Sequence, residues 1–132
     1  MKAQAKELAV EDSVIFAGQV RDVESEYRAA SLYVLSSRWE GLPMALLESQ
    51  HFGLPCVSAD CPHGPREVLD SGSGLLVKPE DPQKLSEAMV MLMRSPCYRK
   101  QMASLARENA NLFRVDMILR EWETLLFELS SE

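Results

Sequence analysis

The sequence predicts an α/β fold, a parallel β-sheet with crossover helices, on three observations. Four short apolar runs have the length of buried strands: Val14 to Ala17, Leu32 to Leu35, Pro55 to Ala59 and Gly74 to Val77. Each is followed by a stretch with helical periodicity, as crossovers between parallel strands require. Several of these stretches open on a helix-start signal that couples a capping residue to a proline.

The elements follow in order. Met1 to Val10 reads as a helix with no strand before it, so the chain is expected to begin within a repeating strand-helix pattern. After the second apolar run, Pro43 is suited to the first position of a helix. That helix should end at Gly53, where a left-handed residue is wanted. Gly64-Pro65, Asp81-Pro82 and Ser95-Pro96 each mark a further helix start. Leu85, Ala88, Met89, Leu92 and Met93 form one apolar stripe at helical spacing. Met102, Leu105, Ala106, Ala110 and Phe113 form a second, and Ile118, Leu119, Trp122, Leu125, Leu126 and Leu129 a third. The methionines of the first stripe read as core filling rather than a binding surface.

Composition narrows the function. The chain has 132 residues, room for one domain, with 46% hydrophobic and 26% charged residues. A net charge of -6 argues against nucleic acid as a partner. The basic stretches Arg94 to Lys100 and Arg107 to Arg120 are interleaved with apolar residues, the pattern of a solvated helix face. No apolar run approaches the ~18 residues of a membrane span, and the first residues hold no signal core. A cytoplasmic location is expected. Cys56, Cys61 and Cys97 make an odd count without framework spacing. Cys56, Cys61 and His63 match no zinc pattern and lack a fourth ligand, so no metal is expected.

The densest cluster of unusual residues runs from Ser36 to Gly53, S-S-R-W-E-G-L-P-M-A-L-L-E-S-Q-H-F-G. It starts at the carboxyl end of a predicted parallel strand, where open α/β sheets bind ligands. Gly41 permits close backbone approach, and the N-H groups of Gly41, Leu42, Met44 and Ala45 would gather at the helix start. Such a cluster with the helix dipole attracts an anion such as phosphate. Glu40 precedes the helix, and Glu48 lies about 7 Å further along it at ~1.5 Å per residue. That is about the span from a pyrophosphate to its ribose, and a carboxylate can accept from two vicinal hydroxyls. In the competing reading Glu48 is a surface residue of an amphipathic helix and Glu40 an ordinary loop acid.

The spacing E-x7-E of Glu40 and Glu48, within S-x-x-E-G-L-P-x-x-L-L-E-x-x-x-x-G-L-P-C-V, resembles the signature of glycosyltransferase family 4. The blocks V-I-F-A-G-Q-V and A-D-C-P-H-G-P-R-E-V-L-D-S-G-S-G-L-L-V resemble other parts of the same family's donor lobe, and the terminal helices match as well. The resemblance implies a two-lobed enzyme with a Rossmann-like domain on each side of a cleft. It implies a retaining, metal-independent reaction with no cofactor, in which the nucleotide-sugar is a substrate. Glu40 would contact the transferred sugar and carry the catalytic role. The backbone of Gly41, Leu42, Pro43 and Met44 would line the sugar and diphosphate, and Glu48 would bind the ribose. Arg21, in the loop from Gly18, would lie near the base. His51 and His63 receive no role, and Arg66 with Glu67 reads as a surface ion pair. C-P-H-G-P-R-E resembles enzymes that use UDP-sugars to build surface polysaccharides, with a hexose or N-acetylhexosamine passed to a glycan or lipid-linked acceptor.

Two departures matter. The family's donor lobe has two more strands upstream, with an Arg and a Lys that neutralise the diphosphate, and neither they nor the acceptor lobe is in this sequence. Residues 1-132 are therefore expected to be one partial donor domain that does not turn over substrate alone. Membrane association would fall to the missing lobe. In the strand order 3-2-1-4-5-6, Val14 to Ala17 would be strand 3 and the other runs strands 4 to 6. The gap left by strands 1 and 2 would be closed by strand 3 sliding against strand 4, by dimerisation through exposed edges, or by the rest of a larger protein, the last being favoured. The alternatives from other classes are a non-catalytic nucleotide- or sugar-binding module and a receiver-like domain, for which Asp60 alone is poor support. Each charge-assisted contact to phosphate contributes about 1.5 to 3 kcal/mol. Calorimetry of the isolated chain with UDP should therefore give a dissociation constant no tighter than high micromolar, and sub-micromolar binding would contradict this account.

Overall fold

The computed structural model describes residues 1-69 and 72-130. Helix α1 (Lys2–Glu7) and a 3-10 turn (Glu11–Ser13) precede α2 (Val23–Ala29) and strand β1 (Tyr33–Leu35). Then come α3 (Met44–His51), β2 (Cys56–Ala59), α4 (Pro65–Leu69) and β3 (Gly74–Val77), followed by α5 (Pro82–Arg94), α6 (Pro96–Leu112) and α7 (Val115–Ser130). The three strands form a parallel sheet in the order β1-β2-β3, with Val57 of β2 opposite Val34 on one side and Leu75 on the other. Three of the four expected strands are thus in place, each within a residue of its predicted start.

Both faces of the sheet are covered, as a parallel sheet requires. Alternation along the strands divides the core. Cys56 turns to Leu46, Leu47, Val68 and Leu69 of α3 and α4, while Val57 turns to Ala88, Leu92 and Met102 of α5 and α6. All of β2 is buried. The caps behave as their chemistry dictates: Asp81 accepts from the Lys84 N-H at 2.9 Å and Ser95 from the Tyr98 N-H at 3.4 Å. Helix α3 closes at Gly53, whose φ is +71°. The Leu54 N-H donates to the Ser49 carbonyl and the Gly53 N-H to that of Gln50, the paired bonds of a Schellman ending.

One expectation is corrected. Val14 to Ala17 is not a strand: the segment runs outside the sheet, with Ile15 91% exposed. An extended run becomes a strand only when a neighbour takes its backbone groups, and no described strand pairs with it; its contact with α1 is through side chains, Lys2 Nζ lying 5.8 Å from the Phe16 ring centre. It does not slide over to pair with β1. The third apolar stripe does form α7, yet no residue of that helix is buried. No helix among the described residues is long and apolar enough to cross a membrane.

A polar network ties the α3 side together. Gln50 is fully buried; its amide donates to the Ser73 hydroxyl at 2.5 Å and accepts from the Asn109 amide at 2.7 Å. Asn109 also donates to the Val68 carbonyl at 2.6 Å, so one α6 side chain joins α3 and α4. Replacing Asn109 by Ala leaves the buried Gln50 Oε1 without its donor and the Val68 carbonyl with only the Ser73 hydroxyl at 3.5 Å, and an unsatisfied buried group costs about 1 to 3 kcal/mol. Denaturant unfolding of Asn109→Ala should show a loss of about 2 to 4 kcal/mol, against almost none for Asn111→Ala on the exposed face. Equal stability of the two variants would show that the network does not hold the helices.

Candidate functional site

The loops that follow the three strands meet at the carboxyl edge of the sheet, and the predicted cluster lies there. The loop after β1 carries Arg38, Trp39 and Glu40 into the start of α3. The helix begins at Met44, so Pro43 is its N-cap, with ψ of 85°, and not its first helical residue as the sequence suggested. The Pro43 carbonyl accepts from the Leu46 and Leu47 N-H groups at 2.9 and 3.3 Å. Among the described residues no acceptor meets the N-H groups of Gly41, Leu42, Met44 and Ala45. Unpaired donors at a helix start are the local equivalent of positive charge.

The two glutamates sit differently. Glu40 is half-buried and Glu48 exposed on the next turn of α3. Glu48 is nonetheless oriented, because the buried Tyr27 of α2 donates its hydroxyl to Glu48 Oε2 at 3.1 Å and to the Ala45 carbonyl at 3.3 Å. That leaves Oε1 for other donors. Tyr27 is held in turn by stacking on Phe52, ring centres 5.3 Å apart. Leu42 and Met44 are exposed, and Pro43 is buried. Arg21 is exposed before α2 and makes no hydrogen bond or ion pair among the described residues, so no contact joins it to Glu40 or Glu48.

The loop after β2 completes the edge. His63 and Gly64 both adopt left-handed backbone, at φ +67° and +80°. A Cβ on Gly64 would stand 1.9 Å from the Gly41 carbonyl oxygen and 2.6 Å from Pro43 Cδ, so only glycine lets this loop close onto the α3 entry. The His63 ring meets Trp39 edge-on at 5.7 Å. Arg38 pairs with Glu80 at 3.0 Å, and Arg66 pairs with Asp60 rather than with Glu67. A cleft of about 660 Å³ opens beside these loops, lined by Cys61, His63, Arg66 and Glu67 among others. Glu40 and Met44 are not among its lining residues. Burial, then the nearby Glu40 and Asp60 carboxylates, raise the Cys61 thiol, while burial pushes Cys56 up to about 12. Neither is a thiolate nucleophile at neutral pH.

The sequence assigns no site role to Tyr27, Gly64 or the Trp39-His63 pair. Only Gly64 left a signal, as the glycine of C-P-H-G-P.

Comparisons with known proteins bear on the family and the fold. The family model for "Glycosyl transferases group 1" matches residues 1-109. An uncharacterized glycosyltransferase of Haemophilus influenzae is 31% identical over 96% of this chain and 36% of its own length. The amylovoran biosynthesis glycosyltransferase AmsD of Erwinia amylovora is 28% identical over 92% of this chain and 34% of its own. Among solved structures, Anabaena HepE in complex with UDP superposes with a TM-score of 0.83 at 25% identity, over 98% of this chain and 35% of that one. The chain thus spans about a third of the length of these relatives.

The Tyr27-Glu48 bond has a pH signature. Burial first, and the Glu48 carboxylate second, push the Tyr27 phenol from 10.0 up to about 12. The unfolded chain loses this proton near 10 and the folded chain near 12, so the unfolded state holds fewer protons in between and stability falls as pH rises through that window. Tyr27→Phe should lose less stability between about pH 10 and 12 than the wild type, the Cys56 contribution being common to both. An identical alkaline loss in both proteins would mean that Tyr27 is not so held.

Proposed function

The chain belongs to the group 1 glycosyltransferases, and from that premise we propose that its α3 entry grips the donor of a nucleotide-sugar-dependent transfer. The observation that carries the reading is the set of unpaired N-H groups at Gly41, Leu42, Met44 and Ala45, flanked by Glu40 and by the oriented Glu48. The donors and the helix dipole suit a diphosphate. Acids beside an anion site are unfavourable unless they accept from hydroxyls, which a ribose and a hexose supply.

In this reading Glu48, with Oε2 held by Tyr27, accepts from the ribose diol, and Glu40 accepts from hydroxyls of the transferred sugar. The backbone of Gly41 to Met44 runs along the sugar and diphosphate, and Arg21 faces the base. Preorganised N-H donors stabilise charge that grows on the departing diphosphate. Glu40 holds the sugar with its anomeric carbon in reactive geometry. We propose a UDP-sugar as donor, supported by the UDP described in the HepE structure and by the C-P-H-G-P-R-E block. The reaction proposed for the whole protein is retaining and metal-independent, passing a hexose or N-acetylhexosamine to a glycan or lipid-linked acceptor. Synthesis of a surface polysaccharide is the setting, in keeping with the amylovoran biosynthesis for which AmsD is named.

Kinetics on the full-length enzyme separate the two acids. Glu48→Gln should weaken donor binding by about 1 to 3 kcal/mol, seen in KM and in direct titration. Glu40→Gln should act mainly on kcat, since it positions the reacting ring. Wild-type kinetics in both variants would return Glu40 and Glu48 to ordinary surface acids.

A further inference from the structure

A second pocket lies at the other end of the sheet. It opens at the amino ends of β1 and β2, bounded by Ala30 and Ser31, by Gly53 to Pro55, and by the first turns of α6, with a volume of about 480 Å³. Arg28, Arg99, Lys100 and Arg107 line it, and among the described residues no Asp or Glu does, in a chain whose net charge is -6. The sequence pattern alone places Arg99, Lys100 and Arg107 on solvated helix faces. The fold instead collects them around one cavity.

Two of the four are already engaged. Arg28 pairs with Glu24 at 2.6 Å and lies over the Phe52 ring at 5.1 Å. Arg99 donates through Nη1 to the Leu92 and Met93 carbonyls at 2.6 and 2.7 Å, which closes the end of α5. Lys100 and Arg107 make no hydrogen bond or ion pair among the described residues. The Arg107 guanidinium nevertheless has a built seat. It lies so close to Gly53 that a Cβ there would stand 2.3 Å from Cζ and 2.5 Å from Nε and Nη2. Four cations around one cavity repel one another, and a bound anion removes that cost. Guanidinium groups present paired donors to phosphate oxygens, and lysine adds a compact charge.

We propose that this pocket binds a phosphate-bearing anion, with Lys100 and Arg107 as its direct ligands and Arg99 fixed beside them. The site is independent of the nucleotide reading, since it lies at the opposite end of α3. The phosphate can come from a soluble phosphorylated molecule or from an anionic lipid headgroup.

The test is a heteronuclear NMR titration of the 132-residue chain with inorganic phosphate and with pyrophosphate, against sodium chloride at matched ionic strength. Beside it runs a sedimentation assay with phosphatidylcholine vesicles, with and without phosphatidylglycerol. Saturable shifts at the Gly53 amide and the Arg107 Nε-H group, weakened about threefold to tenfold by Lys100→Gln, are the expected result for a soluble ligand. Selective pelleting with phosphatidylglycerol vesicles, reduced by Lys100→Gln, assigns the phosphate to a lipid. Lys100→Gln leaves the Arg107 seat on Gly53 intact, and circular dichroism confirms its fold. Three results overturn the proposal: shifts that chloride reproduces, binding that Lys100→Gln leaves unchanged, or neither saturation nor vesicle pelleting.

Discussion

The fixed point of this structure is the buried amide of Gln50. A side chain with two donors and an acceptor group, fully removed from water, must be satisfied in place, and its partners come from elements far apart in sequence. Asn109 reaches it from α6 and binds the Val68 carbonyl of α4 with the same amide. An apolar contact at this position would tolerate sliding, whereas a bonded amide does not. The rotation and depth of α3 are therefore set at its last turn, which in turn sets where its first turn delivers Glu40, the free N-H groups and Glu48. The site is an extension of the core.

Close packing of backbone does the remaining alignment. Gly64 abuts the Gly41 carbonyl with no room for a methyl group, so the loops after β1 and β2 form one surface. Two left-handed residues in succession, His63 and Gly64, are needed to reach that contact. The cost of the non-glycine member is offset by the Trp39 contact and by the buried proline that follows.

What the sequence disclosed divides along the range of the interactions involved. Tyr33–Leu35, Cys56–Ala59 and Gly74–Val77 were legible because short apolar runs bounded by Ser, Pro or Gly carry their own signal, as were the caps at Asp81 and Ser95, which bond three residues away. The segment Val14 to Ala17 has the composition of a strand, but pairing depends on a neighbour and composition cannot supply one. The α7 stripe likewise specifies a face without specifying what covers it. In the site, the spacing of Glu40 and Glu48 was visible because one just precedes a single helix and the other lies within it. The Tyr27-Glu48 bond, the Trp39-His63 contact and the Gly64 seat were not, since each joins segments about twenty residues apart whose approach only the sheet decides.

The charge arrangement follows the same helix. At the start of α3 the dipole supplies the positive end and the side chains are acids, a combination suited to a ligand that is anionic at its centre and rich in hydroxyls at its edges. At the finish the dipole is negative, and Arg107 rests against Gly53 where the last carbonyls emerge. Dipole complementation of this kind contributes about 0.3 to 1 kcal/mol, enough to explain one cation. It does not explain four around one cavity without a single acid. Two of these have local duties, Arg28 to Glu24 and Arg99 to the end of α5, and Arg107 answers the helix end. Lys100 has no such duty, and its ammonium group is the one left available to a bound anion.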